Sequence, residues 1–413
     1  MTSTLADQVT PIAEALLGPD LPIRIEFWDG SATGPQGVPH LIVRSPRALR
    51  RLFWHPGELG LAQAYVTGEI DVEGDLADGL RRVWKRARER DSARPGVADL
   101  LALASRSFGK PLPPPDSQAR LRGRLHTFGR DREAIAHHYD LSNEFYGLVL
   151  DPRMAYSCAY FADPEQSLEQ AQVAKLDLVC RKLGLRPGDR LLDVGCGWGS
   201  LSIHAAQVYG ARVSGITLSA QQAAFVRDRV RSLGLTDLVT VHLMDYRELE
   251  GEPYDAVASL EMGEHVGQAN YLTYGETLCR MVVPGGRVLV QQMSRGAEHP
   301  GGGAFIEAYI APDMHMRPVG ETVALLEKAG LEVRDVHALR EHYVWTVKAW
   351  YETFEKRWDE VVALVGEEMA RVWRLYLVGG GLAFEEGRMG VDQILAVRPT
   401  PGAMSSMPPI RDF

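Results

Sequence analysis

The sequence predicts an α/β protein built on a mostly parallel sheet, with a smaller α/β or α+β unit ahead of it. Three observations carry this expectation. Between residues 188 and 293, short apolar runs alternate with helical stretches, a pattern that needs a parallel sheet covered on both faces. The run Leu191-Leu192-Asp193-Val194 opens into Gly195-Cys196-Gly197-Trp198-Gly199, a strand feeding a glycine turn and then a helix. Finally, 413 residues exceed one ordinary core, so two domains are expected.

Residues 1–110 read as the smaller unit. Residues 21–27 alternate like a strand, Asp29-Gly30 opens a Gly/Pro-rich loop, and residues 40–43 form a second strand. Residues 46–54 and 59–65 read as helices, and 80–90 as a basic helix with few apolar positions. Residues 111–132 form a linker in two parts. Pro111, Pro113, Pro114 and Pro115 stiffen the first part. The second carries Arg120, Arg122, Arg124, Arg130 and Arg132 with Leu121, Leu125 and Phe128 interleaved. That composition suits a solvated helix or a surface resting on anionic lipid headgroups.

The larger domain is expected over 133–413. Helix 167–183 leads into the glycine-turn strand and helix 201–209. Strand 212–217, helix 220–233, strand 238–243, strand 254–260, helix 271–281 and strand 287–293 follow in order. Residues 297–385 interrupt the alternation with helical stretches at 320–329, 344–365 and 368–378, before a last strand at 393–397. An insertion of that size is expected to form a lid and substrate pocket. Ligands of such sheets sit at the carboxyl ends of the strands, beside the first one, where the glycine turn lies.

Composition narrows the function. With 45% hydrophobic residues, 24% charged residues and a net charge of −9, the chain argues against bulk nucleic-acid binding. Cys158, Cys180, Cys196 and Cys279 are widely spaced, so neither a zinc site nor a disulfide framework is expected, and reduced cytosolic thiols are. The N-terminus lacks a basic region followed by an apolar core, and no apolar run approaches bilayer-crossing length. The expected location is cytoplasmic.

The glycine turn carries the chemistry. Its glycines let a ligand lie against the main chain, and the following helix N-terminus adds a partial positive charge. Asp193 with Gly195, Gly197 and Gly199 resembles motif I of S-adenosylmethionine (SAM) methyltransferases. After the next strand, where such enzymes usually carry an acid, stands Gly215-Ile216-Thr217-Leu218-Ser219-Ala220-Gln221-Gln222. This block resembles the cyclopropane-fatty-acyl-phospholipid synthases and mycolic-acid methyltransferases. Further blocks agree: residues 138–143, residues 156–161, Gly263-Glu264-His265-Val266-Gly267, and Tyr343 with Ala349-Trp350-Tyr351. The resemblance covers about 133–397, and residues 59–69 also look like the N-terminal unit of phospholipid-acting members. It is nearest to actinobacterial methylene-fatty-acid methyltransferases of the tuberculostearate route. It implies a class I, Rossmann-like, seven-stranded sheet with the helical insertion as lid.

The same resemblance implies that SAM is held by Tyr139, Tyr156, Asp193, Gly195, Gly197, Thr217, Gln222, Asp245 and Tyr246. It implies bicarbonate as the base, cradled by a Cys, a Glu, a His and a Tyr. Cys158, Glu264 and Tyr343 match, but Gln291 stands where the His belongs. A glutamine cannot become cationic or relay a proton, so bicarbonate is held less firmly or replaced by a side-chain carboxylate, Glu264 or Glu144. Glu261 reads as a solvent-facing strand end.

Methylating an isolated alkene creates a carbocation that water would trap. The site must therefore be dry and lined with aromatic faces, each worth roughly 0.5–2 kcal/mol toward a cation. Tyr156, Tyr160, Phe161, Tyr343, Trp345, Trp350 and Tyr351 are the candidates. Immediate proton loss closes a cyclopropane, whereas a hydride shift before proton loss gives an exocyclic methylene. Gln291 favours the second outcome. The expectation is thus C-methylation of oleoyl-type phospholipid chains to a 10-methylene stearoyl-type product, with cyclopropanation as the alternative. Expected partners are the phospholipid at the inner face of the membrane, further copies of the chain, and a separate reductase for the methylene. A methyltransferase for a soluble small molecule and a non-catalytic lipid-binding protein are the rivals from other classes.

Overall fold

Element ends in this protein are set by local chemistry that the sequence spells out. A computed structural model describes residues 3–37, 39–89, 110–119, 130, 141–297, 301–402, 404–411 and 413. The chain forms two compact units that do not follow its order. The first comprises Met1–Ala119 with Gly303–Tyr309 and Trp358–Leu382, and the second Arg120–Gly302, Ile310–Arg357 and Ala383–Phe413. Residues 303–309 and 358–382, expected in a lid of the larger domain, thus belong to the first unit.

In the first unit, helix α1 (Leu5–Leu17) starts at a reciprocal cap between Thr4 and Asp7 that the sequence reading left unassigned. Strands β1 (Arg24–Phe27), β2 (Ala32–Thr33), β3 (His40–Val43) and β4 (Ile70–Glu73) form a sheet in the order β2-β1-β3-β4, with β1 and β3 parallel. The expected strand at 21–27 begins only at Arg24, because Pro22 has no N–H to give a ladder. Helices α2 (Pro46–Trp54) and α3 (Glu58–Val66) match expectation, and α4 (Leu76–Glu89) starts earlier, at the Asp75 cap. Ala13, Leu21, Ile25, Phe27, Val43, Ala48, Ala64 and Ile70 make the core. Beside it, the Arg51 guanidinium and the Glu69 carboxylate, both buried, bond at 2.8 Å.

The second unit holds seven strands: β5 (Arg190–Val194), β6 (Arg212–Thr217), β7 (Val239–Leu243), β8 (Tyr254–Leu260), β9 (Val282–Arg295), β10 (Glu332–Ala338) and β11 (Met389–Val397). Their order is β10-β11-β9-β8-β5-β6-β7, with β11 alone antiparallel to its neighbours. This is the class I methyltransferase sheet. Val, Leu and Ala from β5, β6 and β8 pack on both faces, as strands covered on both sides must. Strand β10 escaped the sequence reading because it lies at the sheet edge, half-exposed, with its alternation broken between Val333 and Asp335.

Helices α5 (Asn143–Val149), α6 (Leu168–Leu183), α7 (Ser200–Tyr209), α8 (Ala220–Ser232) and α9 (Tyr271–Met281) accompany the strands. Helix α10 is Ala304–Tyr309 and α11 is Val319–Lys328. Helix α12 runs Arg340–Lys356, and α13 runs Trp358–Glu385 with a kink where Gly366 takes φ 79°.

Candidate active site

The turn after β5 is built by glycine. Gly195, Gly197 and Gly199 take φ of 82°, 53° and 79°, the left-handed region that other residues enter only with strain. Gly195 and Cys196 N–H groups both donate to Ile216 O on β6, at 3.0 and 2.9 Å, fixing the turn above the sheet. A Cβ on Gly197 would meet no atom within 4 Å, so its surroundings are open. Gly195 and Gly197 line a cavity with Tyr156, Asp193, Thr217, Gln222 and Tyr246.

These side chains are positioned by one another. Asp193 is buried and accepts from Ser202 Oγ at 2.7 Å, and burial pushes its pKa up to about 6. Thr217 Oγ1 donates to Gln222 Oε1 at 2.8 Å and accepts from Ser219 N–H, joining the end of β6 to α8. The Asp245 carboxylate is clamped by Arg247 through two bonds of 2.7 Å, and Tyr246 presents its ring to the cavity. Tyr139 lies outside the described residues. Gly195, Gly197, Thr217 and Gln222 thus leave room and polar groups suited to a nucleoside and an amino-acid moiety, and SAM fits this cradle.

The expected acid-base residues come together, but around a different carboxylate. Tyr343 OH donates to Glu261 Oε2 at 2.6 Å. Cys158 N–H and Gln291 Nε2 donate to Glu261 Oε1 at 2.7 and 2.8 Å. Glu261 lies just beyond β8, takes φ 51°, and lines the same cavity as the glycines. Reading it as a solvent-facing strand end was wrong: a residue at the carboxyl end of a central parallel strand faces the ligand. Met154, also at positive φ (58°), lines the cavity too, and non-glycine strain of this kind gathers at functional sites.

Glu264 does not join the cluster. It is fully buried, and neither carboxyl oxygen has a well-formed hydrogen bond among the described residues. Burial, then the neighbouring Glu261 charge, pushes its pKa up to about 8, so it is protonated at neutral pH. Cys158 contributes its main chain; its thiol is buried, and burial pushes its pKa well up. Glu144, on α5, is exposed and lines a separate open pocket with Ser142, Asn143 and Gln221.

Of the aromatic candidates, Tyr156, Trp350 and Tyr343 form a chain, with ring centroids 5.3 and 6.0 Å apart. Tyr160, Phe161 and Trp345 instead gather around His342, and Trp345 is exposed. Arg130, counted in the lipid-facing stretch, is paired with Asp313 at 2.6 Å.

Sequence reasoning also missed Lys175 and Gln393. Lys175, on α6, is fully buried and donates to Ser157 Oγ at 2.7 Å; burial lowers its pKa, partly opposed by the charges of Glu261 and Asp151. Gln393, on β11, donates to Gln291 Oε1 at 2.9 Å. For Gln393 the signal available was a polar residue in an otherwise apolar strand; Lys175, one lysine of a mixed helix, carried none.

Comparison with known proteins shows the family. Residues 126–394 match the family model described as mycolic acid cyclopropane synthetase. A probable fatty acid methyltransferase of Pseudomonas putida is 40% identical over 98% of both chains. A tuberculostearic acid methyltransferase of Mycobacterium tuberculosis is 33% identical over 92% of this chain and 89% of its own. The cyclopropane-fatty-acyl-phospholipid synthase of Escherichia coli K12 is 36% identical over 86% of this chain and 87% of its own. Among solved structures, a mycolic acid cyclopropane synthase complexed with SAH and CTAB superposes with a TM-score of 0.61 at 31% identity, over 64% of this chain and 97% of that one. The glycine cradle, the sheet order and these likenesses place the chain in the mycolic acid cyclopropane synthetase family, as a SAM-dependent methyltransferase.

Proposed function

We propose that the protein C-methylates the double bond of an unsaturated, oleoyl-type acyl chain carried on phospholipid, and that its product is a methylene-branched chain. The observation that carries this reading is the shared cavity. The glycine cradle, the ring of Tyr156 and the carboxylate of Glu261 all line it.

When bound, SAM supplies an electrophilic methyl group. The alkene's electron pair forms the new C–C bond, leaving positive charge on the adjacent carbon of the acyl chain. Tyr156, Trp350 and Tyr343 supply aromatic faces for that charge, and the apolar side chains of Met154, Leu260 and Met262 help keep water away. A hydride then moves with its pair from the methyl-bearing carbon to the cationic one. Loss of a proton from the methyl group completes the exocyclic methylene.

Gln291 supports the methylene over the ring. It donates an uncharged N–H to the carboxylate where the family resemblance places an imidazole, so no protonatable group stands there to speed ring closure. The relatives' printed names include both outcomes, a tuberculostearic acid methyltransferase and a cyclopropane synthase.

Around this chemistry we further propose a protein that works at the inner membrane face as a homo-oligomer and hands its methylene product to a separate reductase. No helix among the described residues is long and apolar enough to cross a membrane. Arg120, Arg122, Arg124 and Arg132, which would meet anionic headgroups, lie outside the described residues, and Arg130 is engaged by Asp313.

The test is mass spectrometry of fatty acids from cells that express the protein and are fed oleate deuterated at the vinylic carbons. A methylated chain with deuterium moved to the neighbouring carbon is expected. Deuterium retained on a ring would establish the cyclopropane instead. No mass change would refute acyl methylation.

A further inference from the structure

Glu261 has three donors on its carboxylate and a fourth group, Gln393, behind them. We infer that Glu261 is the proton acceptor of the reaction: a base built into the chain, so that no added anion is required. This inference rests on the acyl-methylation reading above and deepens it.

Four observations lead to it. Glu261 is the carboxylate that lines the cavity beyond the motif-strand acid Asp193, which is occupied by Ser202. Its position is held from three directions: Tyr343 from α12, Gln291 from β9, and the Cys158 main chain from the segment before α6. Such fixation limits the carboxylate's freedom to swing, which a base acting on one short-lived cation requires. Gln393 accounts for the amide orientation: its N–H occupies Gln291 Oε1, so the Gln291 N–H must face Glu261. Finally, the chain holds Glu261 at φ 51°, a conformation that a residue with a side chain enters only with strain. Glycine would relieve that strain, and a carboxylate stands there instead.

The competing groups are excluded by their surroundings. Glu264 is protonated and fully buried, Glu144 is exposed beside another pocket, and the Cys158 thiol is buried as the neutral form. Burial raises the Glu261 pKa, and the Tyr343, Cys158 and Gln291 donors and then the Lys175 ammonium act against that rise. The two donors on Oε1 leave Oε2, bonded among the described residues only to Tyr343 OH, as the oxygen with a lone pair to spare.

In the step itself, a C–H bond of the new methyl group breaks. Its electron pair becomes the second bond of the methylene, and the proton passes to Glu261 Oε2. The carboxylic acid so formed returns its proton to solvent when product leaves.

The experiment uses the full chain with oleoyl phosphatidylglycerol vesicles and SAM, in buffer purged of carbon dioxide. Wild-type turnover is expected to be unaffected by the purge. Glu261→Gln keeps the shape and removes the basic lone pair; its turnover is expected to fall about 10²–10⁴-fold, the usual worth of a general base. Its SAH affinity by calorimetry is expected to stay within about threefold, a difference well under one kcal/mol. Glu261→Gly relieves the backbone and leaves a carboxylate-sized gap, so added formate or acetate is expected to restore at least about tenfold of the lost rate. The proposal is overturned if Glu261→Gln turns over at close to the wild-type rate, or if Glu261→Gly binds SAH yet no anion restores it. It is also overturned if both variants lose SAH binding with turnover, which would make Glu261 a support of the cradle. Failure of the wild type to methylate oleoyl chains would instead remove the underlying reading.

Discussion

At the scale of single residues, Glu261 and Glu264 show how three positions of sequence separate two fates for one side-chain type. Both carboxyls are pushed up by burial, but Glu261 meets three donors that oppose the shift, whereas Glu264 meets its neighbour's charge and holds a proton. The Glu264 carboxyl ordinarily ionises near 4.5 and does so near 8 in the folded chain. Between those values the folded state keeps a proton that the unfolded state has lost. Its contribution is therefore fully present below about 4.5 and is lost as pH rises through about 8, at a slope of up to about 1.4 kcal/mol per pH unit. Glu264→Gln is expected to melt higher than wild type, with a margin that widens from pH 5 to pH 8.5. Scanning calorimetry across that range checks this, and parallel melting curves for the two proteins would refute it. This division was not legible in the sequence, where the family resemblance pointed to Glu264 as the functional carboxylate and Glu261 read as a solvent-facing strand end.

At the scale of elements, the register of β11 on β9 decides what Gln291 can do. Gln393 and Gln291 are direct partners in that antiparallel pair, so their amides meet inside an apolar sheet. Gln393→Leu removes the group that orients Gln291 and lets its amide turn an oxygen toward Glu261. The expected result is about a tenfold loss of kcat, the worth of one hydrogen bond, with the acid limb of the pH–rate profile moved to higher pH because the Glu261 anion is less supported. An unmoved profile would mean that Gln393 serves packing alone. Strand β11 was partly visible as residues 393–397, but its pairing was not: a partner across a sheet leaves no mark in the spacing of either strand. Strands β5, β6, β7 and β8 were legible to within one residue, because Val, Leu and Ile runs bounded by Gly and charged residues are what a doubly covered sheet demands, whereas β9 runs Val282–Arg295 where 287–293 was expected.

At the scale of the whole molecule, the first unit is assembled from three separate pieces of chain. Arg371, on the late helix α13, donates to the carbonyls of Tyr65 and Ile70 and pairs with Asp71 at 3.1 Å. Its guanidinium also lies over the Tyr65 ring. A fragment of residues 1–119 lacks these partners, and we expect it to lack a cooperative urea transition. In the full chain, Arg371→Met removes its charged hydrogen bonds to the Tyr65 and Ile70 carbonyls, while Asp71 keeps Arg44 at 2.6 Å, and is expected to cost on the order of 3 kcal/mol. Hydrogen exchange should then locate the loss around Tyr65–Asp71. A folded, cooperatively unfolding 1–119 fragment would refute the dependence.

The sequence by itself determined the parallel sheet, the glycine turn that lines the cavity and the family resemblance. Each of these is written in contiguous residues, as hydrophobic period, turn chemistry or motif. Only the tertiary structure decided which carboxylate the tyrosine, the glutamine and the Cys158 main chain surround, and which late helix completes the first unit. Those choices depend on side chains that meet across 30 to more than 300 positions, as Gln291 meets Glu261 and Arg371 meets Tyr65. Local pattern holds no information about such meetings; the packing of strands and helices does.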